Sequence, residues 1–207
     1  MTGTTRAAIL LVAGRALLLL PVFLALWYFA SPALSWVAGK AATPFIRMGT
    51  DNVSMAVRDR SLAYTVTLEK PYGAAGAPKA VAEFEVLAPK FTYGIALFLA
   101  LCLAAKESRG RFAGILGGVA VLLVLPGLGI ACDALKGVGS VPELQPFIRW
   151  GGGARELIAL GYQVGTLLLP TLAPVALWLG LARPLWAPVS VESGANGHPE
   201  AAGATEE

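Results

Sequence analysis

The sequence predicts a membrane all-α bundle of four transmembrane helices, with a small antiparallel β insert between helices 1 and 2. Three observations lead there. Of the 207 residues, 56% are hydrophobic and 14% charged, with mean hydropathy +0.67, whereas soluble domains carry about 25% charged residues. Four apolar stretches, residues 16–36, 91–105, 112–132 and 157–182, are separated by compact charged punctuation. Between the first two, continuous apolarity gives way to strict alternation. Crossing the hydrocarbon core takes about 20 apolar residues at about 1.5 Å each. The second stretch approaches that length only if it starts near Pro89.

The first unit, residues 1–36, opens with Arg6 and Arg15 and ends in Trp27, Tyr28, Phe29 and Trp36. Arginines near a helix end snorkel to phosphates, and Trp and Tyr favour the membrane interface. Pro21 and Pro32 each remove a backbone donor and are expected to kink the helix. The apolar run is far longer than the roughly 7–15 residues of a signal-peptide core. An uncleaved anchor is therefore expected, despite the small residues Ala30-Ser31-Pro32-Ala33.

Residues 37–90 form the second unit. Residues 38–49, with Pro44, read as a linker with room for an interfacial helix. Val53, Met55 and Val57 then alternate with small or polar residues, as do Leu62, Tyr64, Val66 and Leu68. After a Pro/Gly/Ala loop from Lys70 to Lys79, Ala82, Phe84 and Val86 alternate with Glu83 and Glu85. Period-two alternation marks strands with one buried face. A meander this small needs cover for its apolar face, from the helix ends, the membrane interface or a partner.

The third unit, residues 91–186, holds the remaining spans. Its first hairpin, Lys106-Glu107-Ser108-Arg109-Gly110-Arg111, is too short for a domain. Gly114 and Gly118, then Gly161 and Gly165, form two small-xxx-small pairs, the spacing that lets helix backbones approach inside the bundle. Pro170 and Pro174 are expected to bend the last span. The connection 133–156 is glycine-rich, with Pro142 and Pro146. The tail, residues 187–207, has too little apolar surface to offset ordering entropy and reads as disordered.

Catalytic chemistry finds little to work with. Cysteine nucleophiles need a nearby base, yet the only histidine is His198 in the polar tail, on the far side of the membrane from Cys132. Cys102 and Cys132 fall toward opposite faces of the bilayer, too far apart for a disulfide. Ser54-Met55 resembles the nucleophile dipeptide of signal peptidases, but the surrounding pattern is missing. Lys70, at a turn, is solvated and protonated, so it is no base. No His/Cys/carboxylate set has metal-ligand spacing, and Gly151-Gly152-Gly153 lacks the lysine and hydroxyl of a phosphate loop. No catalytic, cofactor or metal residue is assigned. An alternative class is a membrane hydrolase using Ser54 or Cys132. Another is a channel or transporter subunit, for which Gln163, Thr166 and Thr171 are the polar candidates in the last span. Arg15 and Asp133 stand at span ends, where charge is ordinary. A net charge of +3 without a basic run gives no reason to expect a nucleic-acid partner.

Leu17–Leu20 followed by Pro21-Val22-Phe23-Leu24-Ala25-Leu26-Trp27-Tyr28-Phe29-Ala30-Ser31-Pro32, a β-like insert and three further spans resembles the small membrane proteins that accompany exosortase H. The resemblance covers most of the chain. It implies an accessory partner in envelope protein sorting rather than the enzyme, since exosortases carry membrane-associated Cys, Arg and His and this chain has no usable His. The expected partners are the lipid bilayer and a membrane protein, such as an exosortase. Putting Arg6, Arg15, Lys106, Arg109, Arg111 and Arg183 on one side leaves more basic residues on the other, but those are spread over two long loops with nearly balancing acids. The compact basic hairpin weighs most and predicts an inner-membrane protein with both termini cytoplasmic and the β insert outside.

Overall fold

The alternating segments become a three-stranded antiparallel sheet in the order β1-β2-β3, from β1 (Asn52–Arg58), β2 (Ser61–Glu69) and β3 (Lys79–Val86). The computed structural model describes residues 3–69, 79–105, 112–148 and 150–182, with side chains from residue 10 onward. Val66 stands opposite Val53 on one side and Ala82 on the other, and Tyr64 lies between Met55 and Phe84. Leu62, Tyr64, Val66 and Leu68 are all buried, because side chains two apart share a face. The opposite face is polar. There Arg58 pairs with Glu83 at 2.8 Å, Lys79 with Glu69 at 2.5 Å, and the Ser61 hydroxyl donates to Glu85.

The helix α1 (Gly3–Met48) contains Pro21, Pro32 and Pro44 and continues well past Trp36. Residues 38–48 are thus helical, and their cover explains why. Ser31, Ser35, Ala38, Ala42 and Ile46 are buried in one stripe at helical spacing. The half before it is different, with Leu11, Leu17, Leu18, Val22, Leu26 and Phe29 more than half exposed. One half of α1 faces lipid, and the other carries the sheet. Gly39 makes the docking close, since a Cβ there would lie 2.5 Å from Met55 Sδ and 2.9 Å from Leu62 Cδ1. The Tyr64 hydroxyl donates to the Gly39 carbonyl at 3.1 Å.

The rest of the bundle comprises α2 (Pro89–Thr92), α3 (Gly94–Ala104), α4 (Phe112–Val124), α5 (Pro126–Ser140), a 3-10 turn (Pro142–Phe147), α6 (Gly152–Gln163), a π turn (Val164–Leu168) and α7 (Leu169–Leu181). Three helical segments are long and apolar enough to cross a membrane: Leu10–Met48, Phe112–Ser140 and Gly152–Leu181. The segment Pro89–Ala104 is apolar but shorter. The expected four full-length spans are therefore three, together with this shorter helix. The π turn lies just before Pro170, whose missing donor leaves a carbonyl unmet and widens the helix there.

All four glycines of the two small-xxx-small pairs pack inside the bundle. A Cβ on Gly114 would meet Leu181 at 2.5 Å, on Gly118 the Phe98 ring, on Gly161 Cys132 Sγ at 2.5 Å, and on Gly165 the Gly129 Cα at 2.5 Å. The apolar residues sort into two clusters. One joins the sheet to the outer halves of α1 and α5, including Ile46, Leu62, Tyr64, Val66, Leu135 and Val138. The other gathers Ile95, Phe98, Cys102 and Leu122, with α7 residues against it. The expectations for Lys70, the 106–111 hairpin, Arg183 and the tail, His198 included, lie outside the described residues.

Candidate functional site

The sheet and the helix ends beneath it form a head, and the head meets the spans along a ring of polar side chains. The strands run back along α1, so the β1–β2 loop at Asp59 and Arg60 arrives beside Tyr28. Asp59 adopts a positive φ of 56°, a conformation Asp tolerates better than most side chains. The Arg60 guanidinium lies 3.7 Å from the centre of the Tyr28 ring, and its Nη1 donates to the Tyr28 hydroxyl at 2.6 Å. Phe29 meets Tyr28 edge-on, with centroids 5.8 Å apart.

A second polar group forms where α2, α5 and α6 meet. Lys90 Nζ donates to Asp133 Oδ2 at 2.8 Å. The ammonium of Lys136 lies 3.9 Å from the centre of the Tyr162 ring and that of Lys90 5.4 Å from it. Nearby, Trp27 Nε1 donates to Thr92 Oγ1 at 3.2 Å. Asp133, expected to be an unremarkable charge at a span end, is half-buried and partnered. These pairings join residues far apart in sequence, so no local pattern announces them.

Among the described residues, the sequence-derived candidates are not brought together. Ser54 is exposed on the polar face of β1, opposite Thr65. Lys79 is no base for it, because its hydrogen bond and charge attraction to Glu69 raise its pKa above the ordinary lysine value. Cys132 is buried against Gly161, while Cys102 belongs to the intramembrane cluster. Thr166 donates to the Tyr162 carbonyl at 2.7 Å and Thr171 to the Leu167 carbonyl at 2.9 Å. Both hydroxyls thus satisfy their own helix, as Ser and Thr do in membrane segments interrupted by proline. Gln163 is exposed on the bundle surface, which is not the placement of a pore-lining group.

Among the described residues, no three His, Cys, Asp or Glu side chains gather as a metal site would require. A groove of about 530 Å³ lies at the end opposite the head, lined by Leu11, Gly14, Arg15, Leu18, Leu19, Leu103 and Ala104. Its walls are apolar apart from Arg15. Burial raises the pKa of the Tyr64 phenol above its ordinary value, which keeps this hydroxyl a neutral donor to Gly39. Such a set of groups holds two layers together.

The family model described as exosortase H-associated membrane protein matches residues 6–185. No curated protein and no solved structure matches the chain. The chain belongs to the exosortase H-associated membrane proteins.

Proposed function

We propose that this chain is a non-enzymatic accessory subunit of an exosortase-type sorting system in the bacterial inner membrane, with the head outside and both termini cytoplasmic. The observation that carries this reading is the docked sheet. A structured module sits on the extensions of apolar helices, held by Gly39, Tyr64 and the buried stripe of α1, and among its described residues Ser54 has no base beside it. In this arrangement Pro89–Ala104 is the fourth crossing, short because its outer end stops at the Lys90–Asp133 pair. The units are then residues 1–36, 37–90, 91–186 and 187–207, although the helix of the first runs on into the second. The family description supports association with exosortase H, and the apolar spans support contact between the two proteins inside the bilayer.

The test is a complementation assay in a host that carries an exosortase H, with expression levels matched. Ser54→Ala and Cys132→Ser, separately and together, are expected to keep sorting intact, while affinity capture of the chain recovers the enzyme. Loss of sorting in either variant with normal folding would mean a hydrolase instead. Reporter fusions after Lys79 and after Arg183 are expected on opposite sides of the membrane, and same-side signals would overturn the topology.

A further inference from the structure

We infer that Arg60 and Lys136 bind the phosphates of phospholipids in the leaflet next to the head, so that the head is seated on the membrane surface as well as on its own helices. The argument begins with depth. From Leu10 to Tyr28, from Phe112 to Asp133 and from Leu181 to Tyr162 the axial rise is roughly 27–32 Å, close to the hydrocarbon thickness of about 30 Å. The ends of α4 and α7 adjoin, Gly114 against Leu181, and Leu11 of α1 lines one groove with Leu103 and Ala104 at the end of α3. Arg15, on that part of α1, has a stem long enough to carry its charge to the nearer headgroups. Three helices therefore place Tyr28, Asp133 and Tyr162 at one level, the boundary between hydrocarbon and headgroups.

At that level the positive charge is not balanced from within. No carboxylate among the described residues pairs with Arg60 or Lys136. Asp59 adjoins Arg60 in the loop without forming such a pair, and Asp133 is engaged by Lys90. Inside the protein Arg60 has one acceptor, the Tyr28 hydroxyl, and its Nε is buried with no hydrogen-bond partner. Lys136 rests on the face of Tyr162 and is exposed. A cation at the edge of a low-dielectric layer is costly unless an anion meets it, and the anions at this depth are lipid phosphates. The tyrosine rings hold both side chains at this level, which lowers the ordering cost of binding. A planar guanidinium also suits a phosphate, because it can donate two parallel hydrogen bonds.

The inference does not depend on which side the head faces or on the protein partner, so it can fail while the accessory reading stands. The chain is purified in detergent and titrated with phosphatidylglycerol and phosphatidylcholine, and bound lipids are counted by native mass spectrometry. Wild type is expected to prefer phosphatidylglycerol, and Arg60→Gln and Lys136→Gln are each expected to weaken that binding by about fivefold, as for one interfacial cation. Lys136→Gln alters an exposed residue, so its effect is not confounded by unfolding, and unchanged melting would confirm this. Arg60→Lys should fall between wild type and Arg60→Gln. Equal phosphatidylglycerol binding by wild type and both Gln variants would overturn the inference. So would displacement of the lipid by millimolar inorganic phosphate, which would identify a soluble-anion site.

Discussion

Placing aspartate at Val66 tests whether the sheet is held by its buried face, with the neighbouring position serving as the control. Val66 is fully buried, opposite Val53 and Ala82. Losing its apolar contacts costs about 1.5–3 kcal/mol. The carboxylate then has no partner in that cluster. It either stays charged in an apolar site or takes up a proton, and neutralising an aspartate of unfolded pKa about 3.9 near pH 7 costs about 4 kcal/mol. The sum, about 6–7 kcal/mol, is comparable to the lower part of the roughly 5–15 kcal/mol that stabilises a domain, so the head should open in Val66→Asp. Thr67 points the other way, between Asn52 and Val81. Aspartate there loses only strand propensity, about 1 kcal/mol or less. Hydrogen exchange of β2 amides in detergent-solubilised protein reads the difference, because it reports local opening. Val66→Asp should remove their protection and Thr67→Asp should leave it nearly unchanged. Equal loss in the two variants, or silence at Val66, would refute the docking argument.

Further outcomes follow from the packing and from the Tyr64 hydroxyl. Gly165→Ala sets a methyl against the Gly129 backbone, which cannot rotate away, so the melting midpoint should fall in line with a cost of about 1–3 kcal/mol. Gly117→Ala, where a Cβ meets nothing within 4 Å, should be within about 0.5 kcal/mol of wild type in the same melt. Tyr64→Phe removes the hydrogen bond to the Gly39 carbonyl, which keeps its bond from Thr43 at 3.0 Å, so the loss should be about 1 kcal/mol. The same phenol gives the head an alkaline limit. Because its pKa is raised on folding, its contribution is complete below the unfolded value of about 10 and is lost as pH rises above it. An alkaline titration monitored by β2 protection should show that decline in wild type, and a smaller one in Tyr64→Phe.

The alternation of residues 53–57, 62–68 and 82–86 was enough to identify the strands and their inward faces, because a period of two leaves one assignment of side chains to each face, although Val57 near the end of β1 is exposed. The paired glycines were equally legible as packing positions. The length of α1 was not. Pro44 and the small residues after Trp36 suggested a linker, since their context in the chain is weakly apolar. The helix persists because Ala38, Ala42 and Ile46 lie under the sheet and α5, a tertiary effect that outweighs local preference. The stripe was present in the sequence at 3–4 spacing, but its small side chains raise little hydrophobic signal. The Arg60–Tyr28 and Lys90–Asp133 contacts join residues 32 and 43 positions apart. Only the folded geometry brings them together, so the ring between head and spans was invisible to local reading.

The unbroken course of α1 from the lipid-facing half to Met48 sets the reach of the protein. From Ser31 to Met48 the helix rises roughly 25 Å, and no flexible tether separates the membrane from the sheet. The head cannot sweep a volume in search of a partner, as a module on a loose stalk would. Whatever engages it must present a complementary surface within that height of the bilayer. Encounters are thereby reduced to lateral diffusion and rotation in the membrane plane.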